Sequence, residues 1–189
     1  MDDLIKQILN DTIKTKKDFI LNNLELIKGC AGKIVETLNL GNKILLFGNG
    51  GSAADCQHIA AEFINRFRIE RPPLAAIALT TDTSVITSIG NDYSFDDIFS
   101  KQIKALGQKG DIALGISTSG TSPNVINGVK SAVDLGLTII SFSGKEGKLK
   151  ELADYPFCVD SETTARIQEV HIMLAHILCD IAERMIFDE

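Results

Sequence analysis

From Leu4 to Ile27 apolar residues recur every three or four positions (Leu4, Ile5, Ile8, Leu9, Ile13, Phe19, Ile20, Leu24, Ile27), with polar residues between them. That spacing predicts one long amphipathic helix over residues 3–28, stopped near Gly29. A helix of this length before the first strand exceeds what a small sheet can cover, so it is expected to pack against another subunit as well. A second helix is predicted over 31–38. The pattern then changes to short continuous apolar runs, Ile44–Phe47, Leu74–Leu79, Ile112–Ile116, Thr138–Phe142 and Phe157–Val159. These read as strands buried on both faces of a parallel sheet. Between them lie helical stretches: one beginning at Ser52, a short one capped by Thr80–Thr83 and running to Ser88, then Ser94–Leu106, Pro123–Leu135 and a final one from Thr164 to Ile186. Arg71-Pro72-Pro73 and Gly90-Asn91-Asp92 read as turns. Strands alternating with helices predict an α/β fold, a three-layer sandwich around a mostly five-stranded parallel sheet.

The length of 189 residues suits one well-buried domain. The expected division is a single domain over 1–189, with residues 1–40 as N-terminal helices for oligomerisation and 41–189 as the α/β core. A net charge of −6 argues against a nucleic-acid partner, which usually meets a basic face. No apolar stretch approaches a membrane span, and the start Met1-Asp2-Asp3-Leu4 lacks the basic and apolar regions of a signal peptide. The expectation is a cytoplasmic protein without a membrane partner. Cys30, Cys56, Cys158 and Cys179 form no CxxC pair and are expected to be buried or half-buried thiols.

The chemistry concentrates where strands end. After Ile44–Phe47 the chain runs Gly48-Asn49-Gly50-Gly51-Ser52-Ala53, a glycine turn followed by helix formers, with Ser52 in the place of an N-cap. A strand, a glycine turn and a helix N-terminus expose free N–H groups and the positive end of a helix dipole, which together suit a phosphate. The run also fits G-x-G-x-x-A, but the acid that would hold a ribose is misplaced: Glu70 precedes the second strand and Asp82 comes far too late. No lysine follows the glycines, so a Walker loop is excluded. After the third strand, Ser117-Thr118-Ser119-Gly120-Thr121-Ser122 places five hydroxyls within six residues at a second strand-to-helix junction. In a parallel sheet both loops leave at the carboxyl edge, where ligands bind. The second loop can cradle an oxyanion through hydroxyls and N–H dipoles without a basic residue.

His58 and Glu62, spaced i, i+4, share a face of the first of these helices. The last helix offers Gln168, His171 and His176. At about 100° per residue, Gln168 and His176 lie about 80° apart, and His171 and His176 about 140° apart. Gln168 can therefore share a site with either histidine, and spacing alone does not choose between them. Histidines on helices beside a phosphate site suggest proton transfer or a metal.

Gly48-Asn-Gly-Gly-Ser52, Gly90-Asn-Asp92, Gly115-Ile-Ser-Thr-Ser-Gly-Thr-Ser122 and Ala165-Arg-Ile-Gln-Glu-Val-His-Ile with His176 resemble the phosphoheptose isomerase family of sugar-isomerase (SIS) domains. The likeness runs over nearly the whole chain. It implies a flavodoxin-like SIS fold and conversion of sedoheptulose 7-phosphate to D-glycero-D-manno-heptose 7-phosphate, for heptose of a lipopolysaccharide core or capsule. It also implies a cytoplasmic homotetramer with shared sites and one zinc per subunit. Matched by position, Asn49, Gly50, Gly51 and Ser52 form the first substrate loop, Ser117, Thr118, Ser119 and Ser122 the phosphate cradle, and Asn91 with Asp92 contact the sugar. His58, Glu62, Gln168 and His176 become metal ligands, with Glu62 and Gln168 also meeting substrate and Glu62 and His176 the acid/base pair. Arg66 is a candidate for crossing into a neighbouring subunit's pocket. Some members carry an aspartate where this chain has Ala165, so any role of that residue is not inherited. The chain also resembles, around Ile64-Asn-Arg-Phe67, a non-catalytic branch that binds a replication initiator protein. That branch lacks acid and histidine at the positions of Glu62 and His176, which favours the enzyme.

Overall fold

In a computed structural model describing residues 1–187, the five apolar runs pair into one all-parallel sheet. The strands are β1 (Ile44–Gly48), β2 (Ala76–Ala78), β3 (Ile112–Ser117), β4 (Thr138–Gly144) and β5 (Tyr155–Val159), in the order β2-β1-β3-β4-β5. β1 and β3 are buried along their full length, which is why they read as unbroken apolar runs. The helices are α1 (Asp2–Asn22), α2 (Leu24–Asn39), α3 (Gly51–Ile64), α4 (Thr83–Asp92), α5 (Ile98–Leu106), α6 (Pro123–Asp134) and α7 (Thr164–Phe187). Alternating side chains of each strand feed two cores. On one face Ile44, Leu46, Leu114, Ile116 and Phe142 meet Phe19, Ile34, Ile59, Phe63, Val170 and Leu174 from α1, α2, α3 and α7. On the other, Leu45, Phe47, Ala113 and Ile139 meet Ile89, Phe99, Ile103, Val125 and Val129 from α4, α5 and α6. The result is the three-layer sandwich.

Three boundaries differ from the pattern. The break between the two N-terminal helices falls at Asn23 (φ −123°, ψ 14°), not near Gly29. Its side-chain amide donates to the carbonyl of Phe19 at 2.8 Å, so the asparagine competes with the backbone for an acceptor and α1 ends there. Gly29 does not stop a helix. It lies inside α2, where burial of Ile27, Cys30, Ile34 and Leu38 overrides a glycine cost of about 1 kcal/mol. Gly90, Asn91 and Asp92 form the last turn of α4 rather than a separate turn, closed by the Tyr93 amide on the carbonyl of Ile89.

β1 and β3 are neighbours in register, Gly48 beside Ile116, and their following segments go to opposite faces as α3 and α6. The crevice at their carboxyl ends is the point where the strand order reverses, the position at which open α/β sheets take ligands.

Candidate active site

The first loop is short because Gly50 turns it at φ +56°, a conformation that side-chain-bearing residues rarely adopt. α3 therefore begins at Gly51, and Gly50, not Ser52, is its cap residue. Ser52 lies buried inside the first turn, two residues past the cap position, and no side chain caps the helix. Asn49 is held in a reciprocal amide pair with Asn124 at 2.8 and 2.9 Å, and Asn124 also accepts from the amide of Val125. That buried asparagine at the start of α6 ties the two loops together. Sequence reasoning did not single it out, although it directly follows the hydroxyl run and Pro123.

The second loop folds its hydroxyls onto one another. Ser117 Oγ lies 2.9 Å from Ser122 Oγ and 3.4 Å from Ser119 Oγ, and Ser119 Oγ accepts from the amide and the hydroxyl of Thr121 at 3.2 and 3.0 Å. Gly120 makes the bend at φ +65°, and a Cβ there would collide with the carbonyl of Glu146. Ser122 is the cap residue of α6 but its side chain does not cap the helix. Three hydroxyls converge at an uncapped helix N-terminus, an arrangement suited to a phosphate. Thr118, with Ser119, Gly144, Lys145 and Thr164, lines a neighbouring cavity of about 280 Å³.

Two turns along α3, the His58 side chain meets α7. Its Nε2 is 2.9 Å from Nε2 of His176 and 3.4 Å from Glu62 Oε1, and one donor atom from each of the three lies within 4.8 Å of the others. Two imidazole nitrogens and a carboxylate oxygen are a donor set that fits zinc, in the three-ligand form that leaves a position open. The ring of Phe67 packs on His176 at 5.6 Å. One turn before His58, Asp55 stands on the same face; burial pushes its carboxyl up while His58 and His176 pull it back, and its Oδ2 is buried without a partner. Sequence reasoning missed it, although i, i+3 spacing to His58 was the available signal.

The structure separates the two histidines of α7. His171 is fully buried, with Nε2 donating to the carbonyl of Ser143 at 3.2 Å and its ring against Phe142. Burial pulls its pKa down to about 4, so it is a neutral core residue. Gln168 lies at the other end of the contact between α3 and α7, its amide against Gly51, where a Cβ would come within 2.5 Å of Nε2. Along α7 it is about 12 Å from His176. Asn91 and Asp92 are exposed at the end of α4 and bond to each other at 2.8 Å. Arg66 is exposed just beyond α3 and pairs with Glu70 at 2.9 Å. Within the one chain, then, the first loop, the hydroxyl loop and the His58–Glu62–His176 group share the β1–β3 crevice and the α3–α7 seam, whereas Asn91, Asp92 and Arg66 are not shown in contact with them.

The SIS domain family matches residues 7–144. Phosphoheptose isomerases of Thermodesulfovibrio yellowstonii and Aquifex aeolicus are 52% and 53% identical to this chain, covering 100% and 96% of it and 94% and 96% of their own lengths. The solved phosphoheptose isomerase of Neisseria gonorrhoeae superposes with a TM-score of 0.89 at 42% identity, over 96% of this chain and 98% of that one. That of Francisella tularensis gives 0.91 at 39% identity, over 96% and 97%.

Proposed function

This chain belongs to the phosphoheptose isomerase family of SIS-domain proteins, and from that premise we infer that it is an aldose–ketose isomerase interconverting sedoheptulose 7-phosphate and D-glycero-D-manno-heptose 7-phosphate. The observation that carries the reading is the pairing of a hydroxyl-lined helix N-terminus with a carboxylate–imidazole group on the adjacent helix seam. An extended seven-carbon sugar phosphate needs its charged end and its reacting carbons held apart in this way.

Ser117, Ser119 and Ser122, with the amides opening α3 and α6, would hold the phosphate. Gly50, Gly51, Ser52 and Gln168 form the neighbouring wall against the sugar. At C1 of the ketose the protons are acidified by the adjacent carbonyl. Glu62 takes one of them while His176 gives a proton to the C2 oxygen, forming an enediol; Glu62 then returns its proton to C2, and O1 passes its own to His176 as the aldehyde forms. A carboxylate base and an imidazole acid suit this transfer near neutral pH. His58, Glu62 and His176 would hold one zinc per subunit, which supplies positive charge that polarises the substrate's carbonyl and hydroxyl oxygens. Gln168, with its amide at Gly51, would meet the substrate beside the first loop of its own chain, and its place as a fourth metal ligand would be filled from a neighbouring subunit of the assembly.

The assembly that fits is a cytoplasmic homotetramer feeding heptose into a lipopolysaccharide core or capsule. Its support is the row Leu4, Ile5, Ile8, Leu9 and Ile13, exposed along α1. Among the described residues no helix is long and apolar enough to cross a membrane. The test is a coupled assay with sedoheptulose 7-phosphate, with and without chelator, on the wild type and Glu62→Gln. Turnover lost on chelation and in the variant is expected; a Glu62→Gln enzyme with near-normal turnover would remove Glu62 as the base.

A further inference from the structure

Two turns beyond His176 on α7 the chain buries an ion pair. Arg71 and Glu183 have side chains only 2% and 3% exposed, and Arg71 Nε donates to Glu183 Oε2 at 2.9 Å. A buried pair is weak evidence of stabilisation, because desolvation offsets most of the attraction. What distinguishes this one is where its remaining hydrogen bonds go. Arg71 Nη2 donates to the backbone carbonyl of Glu62 at 2.8 Å, and Nη1 to those of Phe63 at 2.8 Å and Pro72 at 3.0 Å. The guanidinium therefore caps the C-terminal end of α3 at the residue that carries the carboxylate base.

Glu183 takes hold of the other side. Its oxygens accept from the amides of Phe67 at 3.0 Å, Arg68 at 2.8 Å and Ile69 at 3.0 Å. Burial pushes this carboxyl up, but the three amides and the guanidinium outweigh it and hold the group below the ordinary glutamate range. Phe67, whose amide is fixed here, is the residue whose ring lies on His176. Seven residues separate His176 from Glu183, about two turns, so both project from nearly the same face of α7.

We propose that Arg71 and Glu183 are a positioning pair: they lock the end of α3 to α7 and so set the spacing of His58, Glu62 and His176. The proposal rests on the isomerase reading for its kinetic consequence and on the donor group alone for its metal consequence. Neither residue touches substrate. Each acts through a backbone contact on a residue of the group or on its packing partner.

The test is Glu183→Gln, which keeps the shape but leaves Arg71 without its counter-charge. Zinc alone is titrated into the wild type and the variant, and isomerase kinetics are measured on the folded protein. Expected are zinc binding weakened by roughly tenfold or more and a comparable fall in kcat. KM for the sugar phosphate should stay within about twofold, because the hydroxyl cradle lies at the far end of α3. A pair that only stabilises the fold would lower Tm and leave both zinc affinity and kcat of the folded protein unchanged, and that result overturns the proposal. Should the variant not fold, amide exchange in the wild type decides. Because coupling is reciprocal, zinc should slow exchange at Phe67, Arg68 and Ile69, and unaltered exchange there refutes the pair's link to the group. A wild type that binds zinc but does not isomerise sedoheptulose 7-phosphate defeats the functional reading alone.

Discussion

Acidifying the protein from pH 7 to 4.5 should set His171 against the fold. Its Nε2 donates to the carbonyl of Ser143, so Nδ1 carries the lone pair, and that atom is buried without a partner. Protonation would place an N–H and a charge where no acceptor waits, which is why burial holds the native pKa at about 4 against 6.5 for a free imidazole. The unfolded chain therefore binds a proton from pH 6.5 downward that the native state refuses until about pH 4. Stability is full above 6.5, falls through that window, and is flat again below it. At about 1.36 kcal/mol per tenfold change, the loss is roughly 3 kcal/mol when complete and about 2.5 kcal/mol at pH 4.5. Carboxylates such as Glu183 and Asp180, held below their ordinary range, add an acid loss of their own at lower pH, so the comparison must be differential. Urea unfolding of the wild type and of His171→Leu at pH 7 and 4.5 isolates the histidine. The variant should be the less stable protein at pH 7, having lost the bond to Ser143, yet should lose about 2–3 kcal/mol less on acidification. Parallel losses in the two proteins would refute the assignment of His171 to the core as a neutral residue.

Two further outcomes concern the ends of the substrate and the assembly. Ser119→Ala with Ser122→Ala should raise KM for the sugar phosphate, by roughly 1–3 kcal/mol for each hydroxyl that had met a charged oxygen. Unchanged affinity for the phosphorylated substrate would count against the cradle. Deleting residues 1–13 removes the exposed apolar row of α1 while keeping Phe19, which packs on Phe157, and the helix α2 that the core needs. Sedimentation should show a species smaller than a tetramer, with activity reduced by roughly tenfold or more; a truncated chain that remains tetrameric and active would dismiss that surface as the interface.

How much of this was legible in the sequence depended on whether the deciding contact was local. The glycine turn after β1 and the hydroxyl run after β3 were readable because each is a single strand-to-helix junction whose residues carry their own reason. Helix periodicity was readable too, but it assigns a face only relative to the same helix. It placed Gln168, His171 and His176 around α7 without saying which element lay beyond each, and only packing showed His171 turned to β4 and His176 to His58. The break at Asn23 was hidden for the opposite reason: the apolar period continues across it, while one side-chain amide bonding back to Phe19 ends the helix. Least legible was the Arg71–Glu183 pair, whose members are 112 residues apart and look like ordinary surface charges in a chain rich in both signs. A charge is marked as buried by what surrounds it, never by its neighbours in sequence. The His58–Glu62–His176 group follows the same logic. His58 and Glu62 are placed by one helix and could be named from spacing, but their distance from His176 is a property of how two helices were fastened together. The residues that fasten them lie outside every motif the site presents.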